Sequence, residues 1–145
     1  MNNLMLVLMM ACGGIAVAVQ PSINARLAQR VGSYESSLIS FAVGTLCMLL
    51  VVLLAGRGSL RGLGAAPWWE LSGGLLGAFF VTMTIIAVPR LGTTAVMAMI
   101  IAGQLVSGVL LDQFGAFGLR QIPFTPLRGA GVMLLCLGAA LVVRR

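Results

Sequence analysis

Five long apolar runs leave this 145-residue chain little choice of fold. Each run has about 20 mostly apolar residues, enough to cross a bilayer as a helix. Lipid offers backbone groups no hydrogen-bond partners, so runs of this length cross it as helices. We therefore predict an all-α integral membrane protein with one transmembrane domain over residues 1–145. Its five helices are expected at residues 4–28, 35–55, 68–88, 93–111 and 127–143.

The composition excludes other classes of protein. Hydrophobic residues make up 60% of the chain and charged residues 8%, which is too apolar for a soluble domain and for a disordered chain. Histidine is absent, and the sequence contains no phosphate-binding loop, nucleophile–base pair or metal-ligand cluster. We predict no enzymatic activity, no catalytic residue, no metal and no cofactor. The scattered arginines form no basic stripe, so we expect no nucleic-acid partner.

The charged residues flank the apolar runs. The formal net charge is +6, from nine arginines, no lysine and three acids. With an odd number of spans, the arginines divide between the two membrane faces as Arg57, Arg61, Arg120 and Arg128 on the amino-terminal side, and Arg26, Arg30, Arg90, Arg144 and Arg145 on the other. Because basic loop residues set orientation, this near-even division predicts insertion in both orientations. Alternatively, Arg26 or Arg90 lies within the membrane, which would place the amino terminus inside.

A short motif recurs after 60 residues. RVGS at 30–33 corresponds to RLGT at 90–93, and each joins one apolar run to the next. A glycine accepts positive φ at a tight turn, and the following serine or threonine is suited to cap the next helix. This repeat predicts two helical hairpins followed by a single fifth helix.

Polar and small side chains recur at helical spacing along the predicted spans. An unpaired polar group in hydrocarbon costs several kcal/mol, so the amides must face protein, water or a solute. The side chains expected to line a solute cavity are Gln20, Asn24, Ser37, Ser40, Thr84 and Gln104, with Phe80 as an apolar wall. The alternative is that these faces are helix-packing seams, which small residues also favour.

Asp112 stands at the end of the fourth predicted helix, where a carboxylate is unfavourable unless it is paired. Arg90 or Arg120 is the partner that the sequence suggests, and an Arg90–Asp112 pair would lie near a gate. The alternative is a simple solvated helix end. No acid is placed at the middle of a span, so the buried carboxylate typical of proton relays is missing.

Several segments in order resemble the short, YdcZ-like branch of the drug/metabolite transporter superfamily. They are QPSINARL at 20–27, SFAVGT at 40–45, GGLLGAFF at 73–80, PRLG at 89–92, GQ at 103–104 and LDQFG at 111–115. The resemblance covers nearly the whole chain. It implies a multi-pass protein of a prokaryotic inner membrane.

The resemblance also implies that five helices are a half-unit. Longer relatives carry ten helices as two inverted halves, so a short chain would need an antiparallel partner, either an identical chain or an oppositely oriented paralogue. The related small multidrug resistance proteins carry a glutamate in the first helix, where this chain has Gln20 and Asn24. Proton antiport and polyaromatic cationic substrates are therefore not implied.

Two functions of different classes follow from these observations. The first is a secondary transporter of a small neutral or zwitterionic solute, working by alternating access as an antiparallel dimer, since amides and hydroxyls offer hydrogen bonds without a counter-charge. The second is a non-transporting subunit or assembly factor that packs against a larger membrane partner. A small membrane enzyme is a weaker third reading.

Overall fold

A computed structural model describes residues 2–144 of the protein. Met1 and Arg145 lie outside the described residues, and with them the last arginine in the count above. The described chain has five α-helices, and all five are long and apolar enough to cross a membrane. The helices are α1 (Asn3–Val31), α2 (Ser33–Ala55), α3 (Ser72–Leu91), α4 (Thr93–Phe114) and α5 (Pro126–Val143).

The predicted spans are confirmed in number and order, and most of their ends shift by a few residues. α1 runs through Pro21 to Val31, and α2 begins two residues later at Ser33. The predicted start of the third span, Trp68, opens a short 3₁₀ helix (Trp68–Leu71) that leads into α3. These differences arise because hydropathy locates the bilayer-spanning run, whereas turn and cap geometry decides where the helix ends.

Two glycines make the short turns between helices. Gly32 has φ 102° and ψ 156°, and Gly92 has φ 84° and ψ 152°. This region of backbone conformation is essentially reserved for glycine, so the repeated RxG motif encodes the same turn twice. The predicted capping roles are wrong, because glycine itself is the N-cap residue and Ser33 and Thr93 are the first helical residues.

The chain divides into two compact units, residues 2–90 and residues 91–144. The first unit holds α1, α2 and nearly all of α3, with α1 packed against α2. The second unit holds α4 packed against α5. The described packing therefore groups α1, α2 and α3 in one unit and α4 with α5 in the other, and the arrangement as two hairpins and a single fifth helix stays a prediction. Side-chain bonds tie α3 to α2 and α5 to α4, and these tertiary contacts decide the grouping.

Candidate functional site

The contact between α1 and α2 is built on polar groups. The amide nitrogen of Asn24 donates to the Ser40 hydroxyl at 3.1 Å, and the Ser36 hydroxyl donates to the Asn24 backbone carbonyl at 2.8 Å. Asn24 is 7% exposed and Ser36 is fully buried. Pairing the groups in this way avoids the cost of leaving polar atoms unbonded in an apolar medium. The two bonds hold the helices together where small side chains let them approach.

A second polar contact joins α2 to α3. The Ser37 and Thr82 hydroxyl oxygens are 2.9 Å apart, and Thr82 also donates to the Ala78 carbonyl at 2.8 Å. Because the one Thr82 proton goes to Ala78, Ser37 donates to Thr82. Nearby, Phe41 of α2 lies against Gly77 of α3, where an added Cβ would be 3.5 Å from the Phe41 ring. α3 is thereby held to the polar side of α2.

The predicted site residues of the first unit occupy different environments. Gln20 and Ser40 line the same cavity of about 550 Å³, and Asn24 is bonded to Ser40. Thr84 is buried, but its hydroxyl donates to the Val81 carbonyl of its own helix at 2.8 Å. Phe80 is half-buried in α3. The structure thus brings Gln20, Asn24 and Ser40 together.

Arg90 lies at the end of the first unit near the Gly32 turn. Its side chain is exposed and borders a smaller cavity of about 230 Å³, with Gln29 and Ser33 as polar neighbours. A gating role for Arg90 remains a prediction.

In the second unit, Gln104 is exposed on α4, twelve residues after Gly92. At a rise of about 1.5 Å per residue, the amide lies roughly 18 Å from that turn. The middle of a hydrocarbon core is about 15 Å deep, so Gln104 would lie near the midplane if the Gly92 turn lies at the membrane surface.

The ion pair of Asp112 differs from the predicted one. The structure pairs Asp112 with Arg128, at the start of α5, in place of Arg90 or Arg120. The 115–125 connection folds back on the end of α4, because Ile122 N–H donates to the Asp112 carbonyl at 2.9 Å. This return brings the first turn of α5 beside Asp112.

Gln113 accepts hydrogen bonds from the same connection with both its side chain and its backbone carbonyl. Its side-chain oxygen accepts from Phe124 N–H at 2.6 Å, and its backbone carbonyl accepts from the Gln121 amide at 2.8 Å. The ring of Phe124 packs closely on Gly129, where an added Cβ would overlap the ring unless it shifted. The LDQFG segment therefore builds an ordered cap over one end of the α4–α5 pair.

Coupling between Asp112 and Arg128 is measurable with a double-mutant cycle. With Asp112→Asn and Arg128→Gln, we expect an interaction energy of about 0.5–3 kcal/mol, because each single change leaves a partly buried group without its partner. Unfolding of the purified protein in mixed micelles gives the four stabilities. Arg120→Gln is the matched control, and its effect should add to that of Asp112→Asn within about 0.5 kcal/mol. A larger coupling to Arg120 than to Arg128 would contradict the observed pairing.

Sequence analysis missed three of the residues that form these contacts. Ser36 and Thr82 lie one and two residues from the predicted positions Ser37 and Thr84, so the sequence indicated the helices that form these contacts but not every contacting residue. Arg128 was counted as a charge flanking a span. Thr125, Pro126 and Arg128 do carry a local signal of a helix start, because Thr125 caps the Arg128 N–H.

The chemistry of the first unit is that of neutral hydrogen bonding. Within residues 2–144 no group of three or more histidine, cysteine or acidic side chains is placed to hold a metal ion. Amide and hydroxyl groups next to a cavity can exchange hydrogen bonds with a solute at little electrostatic cost. Neutral amide and hydroxyl groups beside a cavity are suited to reversible binding of a solute.

Comparison with known proteins defines the class. Residues 5–141 match the family described as "Putative inner membrane exporter, YdcZ", and the chain belongs to this family. It is similar to the Inner membrane protein YdcZ of Escherichia coli (strain K12), with 32% identity over 153 aligned positions that cover 100% of this chain and 99% of that protein. No solved structure matches the chain significantly. The resemblance drawn from the sequence motifs is confirmed, and a multi-pass inner membrane location is consistent with it.

Proposed function

We propose that this protein is a secondary transporter of a small solute without net charge. Two chains inserted in opposite orientations would enclose a polar site near the bilayer midplane and expose it to each side in turn. The observation that carries the proposal is the bonded polar cluster of Asn24, Ser36 and Ser40 beside a cavity that Gln20 also lines. Polar groups inside a membrane are costly and mark solute pathways.

The depth of the two exposed amides supports a site near the midplane. Gln20 lies twelve residues before Gly32, and Gln104 lies twelve residues after Gly92. At about 1.5 Å per residue, each is roughly 18 Å from its turn. An exposed amide at this depth needs a partner outside its own helix. A solute or a second chain would supply one.

Solute flux in reconstituted vesicles tests the site assignment. A screen of neutral and zwitterionic compounds, with and without a proton gradient, identifies a transported solute. Asn24→Ala and Gln104→Ala should each then reduce its flux about tenfold or more, because each removes a hydrogen-bonding group that water cannot replace there. Gln29→Ala, an amide change near the Gly32 turn, is the matched control and should leave flux nearly unchanged. Unaltered flux in both site variants would refute the assignment.

Orientation is tested with reporters fused to the carboxyl terminus. We expect comparable cytoplasmic and external populations, because the arginines divide four to five between the two faces. Gly62→Lys together with Gly64→Lys should leave one orientation, with the amino terminus inside. The two lysines give the amino-terminal face an excess of basic residues, and such an excess is typical of the cytoplasmic face. Both glycines have open space around them, so the lysines should not disturb packing.

Gly62→Gln with Gly64→Gln is the uncharged control, and it should keep both populations. A single orientation in the unmodified chain would rule out a self-complementing dimer. It would point to an oppositely oriented paralogue as the partner.

A further inference from the structure

The cavity of the first unit is polar at one end and apolar at the other. Its polar lining groups are Gln20, Ser40 and Thr45. Each of the lining residues that the structure describes is uncharged. The volume, about 550 Å³, is that of a small-molecule site.

The direction of this polarity follows from the helical register. Asn24 bonds to Ser40 across the antiparallel α1–α2 contact, so Gln20, one turn further along α1, is level with Gly44. The α2 residues that continue the lining beyond this level change from Thr45 to Met48 and Val52. Leu60, in the connection after α2, lines the cavity as well. Between Ser40 and Val52 the helix rises about 18 Å.

This change from polar to apolar lining residues restricts which ligands the cavity can bind. A charged group placed there would be desolvated without a counter-charge among the described lining residues, at a cost of several kcal/mol. A zwitterion would face the same cost twice. A hydroxyl, amide or carbonyl would instead find partners at Gln20, Ser40 and Thr45, and an alkyl group would lie against Met48 and Val52.

We infer that the cavity takes an uncharged amphiphile, with one polar group at the Gln20 end and an apolar tail directed along α2 toward Leu60. This inference rests on the proposed transport function and narrows its substrate class, since it removes zwitterions. It makes Gly44 a residue that determines specificity, because it keeps the polar end of the cavity open.

Gly44 offers a variant that should fold normally. A Cβ added at Gly44 has no neighbour within 4 Å, yet the residue lines the cavity. Gly44→Leu therefore adds bulk to the cavity lining with a Cβ that meets no packed atom, and it replaces glycine within a helix by a better helix former. Gly14→Leu is the matched control, because Gly14 also has open space but is not a lining residue. Thr45→Val removes a lining hydroxyl while conserving its shape.

The probe is an octanol carrying a photoreactive diazirine, applied to the full-length protein in phosphatidylcholine vesicles, with labelled residues mapped by mass spectrometry. We expect labelling at Met48 and Val52 that Gly44→Leu reduces at least tenfold and Gly14→Leu leaves unchanged. Thr45→Val should weaken it about two- to tenfold, the loss expected for one hydrogen bond.

Competitors of equal chain length then test the charge requirement. After correction for partition into protein-free vesicles, 1-octanol should displace the probe at least tenfold better than octanoate, octyltrimethylammonium or 2-aminooctanoate. Equal displacement by the charged compounds would overturn the inference, and so would labelling that Gly44→Leu does not change. If solute flux depends on Asn24 while the cavity is never labelled, the inference fails and the transport proposal stands. If the cavity is labelled as expected and no compound is transported, the transport proposal fails.

Discussion

The Ser36→Leu variant should lose about 1.5–4.5 kcal/mol of unfolding free energy, the largest effect that we expect from a single side-chain change. Ser36 is fully buried between α1 and α2, and its hydroxyl donates to the Asn24 carbonyl. A larger side chain in a packed contact costs about 1–3 kcal/mol, and the lost hydrogen bond adds about 0.5–1.5 kcal/mol. Unfolding in mixed micelles, followed by circular dichroism, measures the difference.

Two controls separate the contributions at this position. Ser36→Ala removes the hydrogen bond without adding bulk and should cost about 1 kcal/mol. Ser107→Leu makes the same chemical change at an exposed serine of α4 and should stay within about 0.5 kcal/mol of the parent. Equal stability of Ser36→Leu and Ser107→Leu would show that α1 and α2 do not pack as described.

Alanine at either glycine turn should also destabilise the protein, by about 1–3 kcal/mol for Gly32→Ala or Gly92→Ala. Both glycines have positive φ with extended ψ, a conformation that a Cβ makes unfavourable. At Gly32 the added carbon would also overlap a Glu35 carboxylate oxygen, so that side chain must move. The same micelle unfolding experiment measures both variants.

Gly13→Ala provides a control with the opposite sign. Gly13 lies inside α1 with open space around it, and alanine is more stable than glycine within a helix by about 0.5–1 kcal/mol. This variant should therefore gain stability. If Gly32→Ala gained stability as well, the turn could not have the conformation described here.

Local sequence signals predicted the elements of this fold well. Hydropathy located five spans because burial in lipid depends on the average of about 20 neighbouring residues. The turns at Gly32 and Gly92 followed from one residue type at a repeated position. The grouping of helices did not follow, because it depends on bonds such as Ser37 with Thr82, between residues far apart in sequence.

Some of the polar contacts in the candidate site were predictable from the sequence, and others were not. The free-energy cost of unpaired polar groups in lipid, together with their helical spacing, indicated Gln20, Asn24 and Ser40. The structure brings these three residues together. The partner of Asp112 was missed because Arg128 reaches it through the folded 115–125 connection, whose path depends on bonds to Gln113. The spacing of apolar residues in the sequence does not predict the path of this connection.

The connections between helices have unequal lengths, and the inequality alternates along the chain. Single glycines, Gly32 and Gly92, follow α1 and α3, whereas the stretches 56–71 and 115–125 follow α2 and α4. If all five spans cross the bilayer in alternate directions, both long stretches belong to one membrane face and both single-glycine turns belong to the other. Pairing with an inverted copy would cancel this difference and give both leaflets the same outline.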